Sequence, residues 1–229
     1  IIPGVEDRAS LEGDTFDIGY TLGALYEYSD QTRFGIGYRS QVKHKLKGDI
    51  KFEGLMLPAN QDISARITTP ANLTIGAYHD INDKWSVMAE FGRTYWSSFD
   101  TLDIYGENNG KMSTTEERWK DTTFYAIGAS YQYNDQWKFR VGFAVDQSAV
   151  GQEYRTPRIP DSDRLWYSSG IEYKYNDDWT FNLGYTYIRA DKGKVKLLGY
   201  HDGDNARGSL QADYENDIHI LGFGASYNF

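Results

Sequence analysis

The sequence predicts an all-β protein, more specifically an antiparallel transmembrane β-barrel. One observation is that apolar residues recur at every second position along much of the chain, which is the period of a strand with two unlike faces. A second is that a polar turn, a tryptophan and an alternating run return together, as INDKW from Ile81, YNDQW from Tyr133 and YNDDW from Tyr175. A looser version, YSDQT, begins at Tyr28.

These repeats divide the chain into nine predicted strands joined in an asymmetric way. Four pairs are predicted to share short turns, in which Asn and Asp tolerate a left-handed backbone, at Ser29–Gln31, Asn82–Lys84, Asn134–Gln136 and Asn176–Asp178. The opposite connections are longer, roughly 49–62, 106–117, 151–163 and 191–212. Short turns at one end and long loops at the other are typical of outer-membrane barrels.

Each predicted strand has one apolar, aromatic face and one face of small or charged residues. The first runs from Phe16 to Tyr28, and the last ends at Phe229. A middle strand sets Phe139, Val141, Phe143 and Val145 against Lys138, Arg140, Gly142 and Asp146. In a membrane, an outward Phe or Leu gains about 1.5–3 kcal/mol by leaving water. A charge at the midplane would cost about 2–4 kcal/mol.

A soluble β-sandwich would also alternate, so the tryptophans decide between the two architectures. Indole prefers the lipid headgroup region, and belts of tryptophan at both strand ends indicate two membrane interfaces. One predicted belt lies beside the short turns, at Trp85, Trp137 and Trp179. The other lies near the long loops, at Trp96, Trp119 and Trp166. The barrel is therefore favoured.

Composition excludes several other classes. Of 229 residues, 16% are aromatic and 23 are glycine, which suits antiparallel β-structure. A net charge of −9 argues against a nucleic-acid partner. The absence of cysteine excludes a disulfide scaffold and thiolate chemistry. No run approaches eighteen apolar residues, so no membrane-crossing helix is predicted. The opening IIPGVEDRASLEGD is no signal peptide, and we expect a processed product or a piece of a longer chain.

Several segments resemble the FadL family of outer-membrane long-chain fatty-acid transporters. They are GYTLGALYEYSDQTRFGIGYRSQVKHKLKG (19–48), TYWSSFDTL (94–102), ERWKDTTFYAIGASYQYNDQWKFRVGFAVDQSAV (117–150) and RTPRIPDSDRLWYSSGIEY (155–173). The combination of YRSxV, the W-S-x-F tract and IPDxDRxW goes beyond what barrels share in general. The resemblance implies passive transport of hydrophobic molecules, fatty acids first, with binding in the lumen and lateral release through the wall. Aromatic hydrocarbons are the alternative cargo within the family.

The family fold is a fourteen-stranded barrel plugged by an N-terminal hatch, and the nine strands here correspond to its last nine. We therefore expect residues 1–229 to be a single barrel-domain fragment in the outer membrane, without the hatch and the first strands. Nine strands is an odd number, and open edges leave main-chain groups unpaired in lipid. We expect an open, curved sheet or a forced closure here. For the full-length protein we expect a monomer among lipid and lipopolysaccharide.

Two sets of ligand-binding residues are predicted. Lys120 shares parity with Gly128, so it is expected to face the lumen near the long loops, and the family's pocket lysine falls on it. The alternative is an ordinary luminal lysine paired with Asp121 or Glu117. The loop 49–62 carries an exposed apolar run outside any predicted strand, which indicates either binding or loop packing, at Phe52, Leu55, Met56 and Leu57, followed by Pro58.

Six charged residues are predicted to form a luminal network, structural or gating in role. Arg39, Arg140 and Glu172 have inward parity, and Asp161, Asp163 and Arg164 lie together in IPDSDR. Such pairs brace a barrel interior, although a buried pair is weak evidence for net stability.

No catalytic, cofactor or metal site is predicted. The four histidines lack metal-ligand spacing, and no Gly-x-Ser-x-Gly elbow is present, which disfavours an outer-membrane lipase. The acidic loop 201–205 offers a divalent cation or lipopolysaccharide only an irregular set of ligands. Besides transport, a structural or adhesive barrel remains open, and a lumen filled with paired charges would favour it.

Overall fold

A computed structural model describes residues 8–53, 60–106, 110–197 and 209–228. These residues form sixteen strands and one three-residue 3-10 turn, Trp96–Ser98, so no helix among them is long and apolar enough to cross a membrane. In chain order the strands are β1 Arg8–Asp14, β2 Thr21–Ser29, β3 Thr32–Arg39, β4 Val42–Glu53, β5 Gln61–Thr69, β6 Asn72–Asp80, β7 Trp85–Thr94, β8 Thr101–Tyr105, β9 Lys111–Glu116, β10 Thr122–Gln132, β11 Trp137–Asp146, β12 Arg164–Lys174, β13 Trp179–Ala190, β14 Gly193–Leu197, β15 Leu210–Tyr214 and β16 Asp217–Tyr227.

Nine of these strands form one antiparallel sheet, which we call the wall. Its order is β16-β13-β12-β11-β10-β7-β6-β3-β2, and each pair is antiparallel. Its outer strands, β2 and β16, are not paired with each other, so the sheet is open. The predicted all-β, incomplete barrel of nine strands is confirmed.

The repeated polar turns close three hairpins of the wall in the same way. In each, the side-chain oxygen of Asn82, Asn134 or Asn176 accepts two backbone N–H groups, those of the residues two and three positions later, at 2.7–3.1 Å. The second donor is always the tryptophan, whose carbonyl also accepts from the residue before the Asn. The repeat is therefore a turn motif that starts the next strand at Trp85, Trp137 and Trp179.

The two faces of the wall differ in exposure as the alternation predicts. On the convex face Ile127 is 64% exposed and Val141 62%, although both are strongly apolar. On the concave face Ala144 is 6% exposed and Ile188 3%. A convex apolar face of this kind is stable only against hydrocarbon, which is the arrangement of a barrel wall in a bilayer.

A second sheet, which we call the upper sheet, continues five of the wall strands beyond the long-loop end. Its order, β1-β4-β5-β8-β9, repeats the wall order β2-β3-β6-β7-β10, and each upper strand adjoins its wall strand in the chain. The predicted loop 49–62 is therefore largely wrong, because β4 extends to Glu53 and β5 begins at Gln61. The predicted loop 106–117 likewise contains β9. Phe52, expected outside any strand, lies in β4.

The exposed side of these strands changes at the junction between the two sheets. On β3 the exposed apolar residues are Phe34 and Ile36, whereas on β4 the exposed residues are the odd-numbered lysines, and Leu46 and Ile50 are turned away. The paired strands agree, since Ile75 is exposed on β6 and Arg66 on β5. The exposed side of the strands therefore changes across the two-residue breaks 40–41 and 70–71. Above the wall the more exposed side of β4 and β5 is charged, and the less exposed side is largely apolar.

The other long connections differ from expectation in detail. The loop 191–212 contains β14 and part of β15, which pair as a hairpin, whereas 151–163 holds only an isolated bridge between Thr156 and Ile159. The first wall strand begins at Thr21, not at Phe16. Trp166 shares the concave parity of Arg164 and Ser168, so it does not belong to a lipid-facing belt.

Candidate ligand groove and its rim

The concave face of the wall forms a groove of about 1080 Å³. Glycines from neighbouring strands lie side by side along its floor, in the register Gly35–Gly76, Gly128–Gly142 and Gly170–Gly184–Gly222. A Cβ added at Gly184 or Gly222 would meet no heavy atom within 4 Å, so the space above these residues is open. The glycines therefore leave parts of the floor open to a long molecule, between the side chains of Met88, Glu90 and Ser168.

Few charged side chains reach this groove. Arg140 forms an ion pair with Glu172 and also donates to the amide oxygen of Asn182 at 3.4 Å. Arg33 lies over the ring of Tyr78 at 4.5 Å from its centre. Glu90 lines the groove, and no ion pair with it is found in the described residues. The groove therefore holds one neutralised pair, the Arg33 guanidinium against an aromatic ring, and the Glu90 carboxylate without an ion pair in the described residues.

A second charged cluster lies at the long-loop end of the wall. Arg164 contacts the carboxylate of Asp146 at 2.9 Å and that of Asp161 at 3.2 Å. The Ser148 hydroxyl donates to Asp161 at 2.8 Å, and the Ser148 amide donates to Asp163 at 2.7 Å. These contacts fasten the loop after β11 to the start of β12.

Arg155 fastens the same loop to the β14–β15 hairpin. Its side chain is 6% exposed, and it donates to the carbonyl oxygens of Asp161 at 2.6 Å, Lys194 at 2.9 Å and Val150 at 3.3 Å. The guanidinium is thus satisfied by main-chain acceptors from two connections. The hairpin and the loop are held as one cap over this part of the rim.

The predicted network is thus two separate clusters rather than one. Arg140 and Glu172 meet in the groove, and Asp161, Asp163 and Arg164 meet at the rim. Arg39 joins neither: it is exposed at the end of β3, and no ion pair to it is found in the described residues. The functional role predicted for all six residues stays a prediction.

Lys120 lies at the rim but not in a strand. It precedes β10 by two residues, its side chain is exposed, and its backbone N–H donates to the carbonyl of Ala149 at 2.9 Å. The two acidic residues that were the alternative partners of Lys120 contact other groups. The Asp121 carboxylate lies 3.5 Å from the Arg93 guanidinium and accepts the Ser97 backbone N–H at 3.0 Å. The Glu117 carboxylate accepts the Trp119 indole N–H at 3.0 Å.

Asp121 anchors the segment beside Lys120. Hydrogen bonding from Ser97, with a smaller contribution from the Arg93 guanidinium, lowers the pKa of the Asp121 carboxyl below its usual value. Two tryptophans pack next to this segment: the rings of Trp96 and Trp119 meet edge-on at 4.9 Å. The rim around Lys120 is therefore an aromatic surface beside which the Lys120 side chain is exposed.

Part of the predicted apolar loop lies within the described residues. Phe52 lies on the same side of β4 as Ile50, which is 7% exposed. Leu55, Met56 and Leu57, and also the acidic loop 201–205, fall outside the described residues. Ile63 and Ile67 of β5 pair with Gly48 and His44 of β4, and they lie on this same, less exposed side of the upper sheet.

Three further sets of charged residues lie in the groove or at its rim and are not among the predicted site residues. Asp146, the partner of Arg164, shares parity with Arg140 on its strand, so alternation alone could have indicated it. Glu90 and Arg33 are luminal by the same rule. Arg155 carries no sequence signal, because its partners are main-chain carbonyls. Within the described ranges no three acidic or histidine side chains converge as metal ligands.

The chain matches a known protein family over almost its whole length. Residues 3–229 match the family model described as outer membrane protein transport protein (OMPP1/FadL/TodX). The long-chain fatty acid transport protein of Escherichia coli O6:H1 is 30% identical over 236 residues, which cover 96% of this chain and 51% of that protein. Outer membrane protein P1 of Haemophilus influenzae is 28% identical, over 100% of this chain and 49% of the relative.

Solved structures with a similar sequence have the same fold. A FadL homologue of Pseudomonas aeruginosa superposes with a TM-score of 0.82 at 25% identity, covering 91% of this chain and 52% of that one. A variant of TodX, the monoaromatic hydrocarbon channel of Pseudomonas putida, superposes with a TM-score of 0.67 at 26% identity, covering 92% and 50%. This chain thus spans about half the length of the relatives it matches. The open nine-stranded wall, the upper sheet and the family match over residues 3–229 together show that the chain belongs to the FadL/TodX family of outer-membrane transport proteins.

Proposed function

We propose that the full-length protein carries hydrophobic molecules, with long-chain fatty acids as the first substrate class, across the outer membrane. The supporting observation is the groove on the concave face of the wall, about 1080 Å³ in volume and lined mainly by glycine and apolar residues. An acyl chain can leave water against this surface. This chain contributes one barrel domain to that path.

Lys120 is the residue we assign to the carboxylate. It is exposed at the rim, and its closest acidic neighbours in sequence are bound to other groups. In the groove, by contrast, Arg140 is neutralised by Glu172, Arg33 is packed against the Tyr78 ring, and Glu90 would repel an anion. A fatty acid would therefore hold its head at the rim and extend its tail inward, and lateral release through the wall, as in the family, would follow.

Aromatic hydrocarbons are the second candidate cargo, and Glu90 is the observation that favours them. An uncharged ring passes a carboxylate without repulsion, whereas a fatty acid must pass it as an anion or bind a proton first. An adhesive or purely structural barrel has less support. A structural lumen would be filled with paired charges, but in the described residues the groove holds one ion pair, Arg140–Glu172, between the neighbouring strands β11 and β12.

The test uses full-length protein in detergent and the variants Lys120→Ala and Lys192→Ala. Lys192 is a matched control, since it is exposed at the same end and forms only a surface pair with Glu215. We expect Lys120→Ala to weaken oleate binding about tenfold, the typical loss for a charged hydrogen bond, and to leave binding of the uncharged alcohol of equal length unchanged.

Three outcomes would count against the proposal. Equal oleate affinity in wild-type and Lys120→Ala would remove Lys120 from the carboxylate site. Binding of toluene but not of oleate by the wild-type protein would replace fatty acids by aromatic hydrocarbons. If neither oleate nor toluene binds to the protein or crosses the membrane of proteoliposomes that contain it, transport of hydrophobic molecules itself is refuted.

A further inference from the structure

Glu90 places a carboxylate in the groove without a counter-charge from the described residues. It belongs to β7, its side chain is exposed, and it lines the groove. No ion pair to it is found in the part of the chain that the structure describes. The lumen of a water-filled porin is polar throughout, whereas the lining here is mainly glycine and apolar residues. A charge in such a lining points to a ligand that needs it.

The cations of the groove contact other groups. Among the described residues two cationic side chains line it, Arg33 and Arg140. Arg140 forms an ion pair with Glu172, and Arg33 lies over the Tyr78 ring at 4.5 Å from its centre. Neither guanidinium is paired with the Glu90 carboxylate. A charge among apolar groups attracts a counter-ion more strongly than it would in water, so Glu90 is prepared to bind a cation.

Glu90 lies near the middle of the membrane. β7 begins at Trp85, which marks the short-turn interface, and Glu90 is the fifth residue after it. At about 3.4 Å per residue and a strand tilt of about 40°, Glu90 lies about 13 Å above Trp85, or half of an apolar band about 25 Å tall. An ionisable side chain at this depth is a candidate functional residue, and its partner must fit inside the groove.

The surroundings of Glu90 leave room for a bulky group. Its directly opposite neighbours are small, Gly76 on β6 and Ala126 on β10. A Cβ added at Gly76 would meet a single heavy atom within 4 Å, at 3.8 Å. Leu25 and Met88 line the same groove, and both side chains are exposed in it. The site therefore joins a carboxylate to open space with an apolar border.

We propose that Glu90 binds the cationic head of an amphipathic ligand of the alkylammonium class, whose apolar tail lies in the groove. The carboxylate supplies the charge, the small neighbours admit the head, and Leu25 and Met88 contact the tail. A divalent metal ion would find too few ligands, because within the described ranges no three acidic or histidine side chains converge. The inference rests on the groove of the proposed function, but it requires neither a fatty acid nor Lys120.

The experiment measures binding of hexyltrimethylammonium to the full-length protein in a nonionic detergent, by isothermal titration calorimetry. This probe has a fixed positive charge, and 1-hexanol, of the same alkyl length, is the uncharged comparison. The test variant is Glu90→Gln, which keeps the size of the side chain and removes its charge. The control is Glu153→Gln, which removes the same charge from an exposed side chain in the loop 151–163, outside the groove. Glu90→Asp keeps the charge.

We expect Glu90→Gln to weaken binding of hexyltrimethylammonium about tenfold and to leave binding of 1-hexanol unchanged. Glu153→Gln is expected to bind both compounds as the wild-type does, and Glu90→Asp to bind the cation more tightly than Glu90→Gln. Added salt should weaken binding of the cation but not of the alcohol.

Equal affinity of the wild-type and Glu90→Gln for the cation overturns the proposal, and so does an equal loss in Glu153→Gln. An equal loss for 1-hexanol would assign the effect to the shape of the groove. If Glu90→Gln lowers the Tm of the ligand-free protein and leaves cation binding unchanged, Glu90 is a structural counter-ion for the rest of the chain instead. Failure of oleate and toluene to bind would refute the proposed function alone, because cation binding is measured separately.

Discussion

Removing the three turn asparagines should destabilise the barrel by an amount that can be worked out from the turns. Each amide oxygen of Asn82, Asn134 and Asn176 accepts two backbone N–H groups at 2.7–3.1 Å, and alanine can accept neither. The turns are exposed, so water replaces part of each lost bond. The net cost is then about 1 kcal/mol per turn rather than the sum of two full bonds.

The three turns close separate hairpins, so their losses should add to about 3 kcal/mol in the triple alanine variant. The free energy of unfolding is measured by urea titration of full-length protein in phospholipid vesicles. Tryptophan fluorescence suits the assay, because Trp85, Trp137 and Trp179 directly follow the turns. The matched control replaces the same three residues with aspartate, which retains an acceptor oxygen in the same place.

The aspartate triple is expected to lie close to the wild-type. If the alanine triple unfolds within about 0.5 kcal/mol of the wild-type, the side-chain bonds contribute nothing and the repeat has another cause. Equal destabilisation by aspartate and alanine would show that the amide group matters for something other than its acceptor.

Three further outcomes are expected. Gly184→Trp should obstruct the groove and slow uptake of long-chain ligands while the protein still folds, whereas Leu183→Trp, its neighbour on the lipid face, should leave uptake unchanged; equal rates would remove the groove from the path. Arg118 has a φ of 42°, so Arg118→Gly should exceed Arg118→Ala in stability by about 1 kcal/mol, measured by urea unfolding. The Thr114 hydroxyl, with help from Lys111, lowers the pKa of Asp103; the resulting stability is present at neutral pH and lost as the pH falls below 3.8. Protection of the β9 amides, measured against their intrinsic exchange rates at each pH, should fall there in the wild-type, and Asp103→Asn should lack this pH step.

Alternation and turn chemistry were sufficient to predict the wall. The nine strands, the four short turns and the assignment of Arg140 and Glu172 to one face follow from a period of two, because each wall strand meets lipid on one side only. The same rule could have indicated Asp146 and Glu90.

The upper sheet was not predictable in this way. The run KHKLKGDIKFE of β4 also alternates, but its exposed face is charged, so its sequence resembles that of a loop. The change of the exposed side at 40–41 is a local backbone event that composition does not reveal. Parity counting puts Lys120 on the luminal face of a strand, but β10 begins only at Thr122. Arg155 binds carbonyl oxygens, which every residue offers.

The upper sheet continues five of the nine wall strands in the described residues, so the two sides of this chain differ beyond the wall. On one side the strands extend outward as a sheet. On the other side the wall ends at the loop and hairpin that Arg155 holds together. The part of the opening that this chain lines is therefore bordered by extended strands on one side and by loop structure on the other.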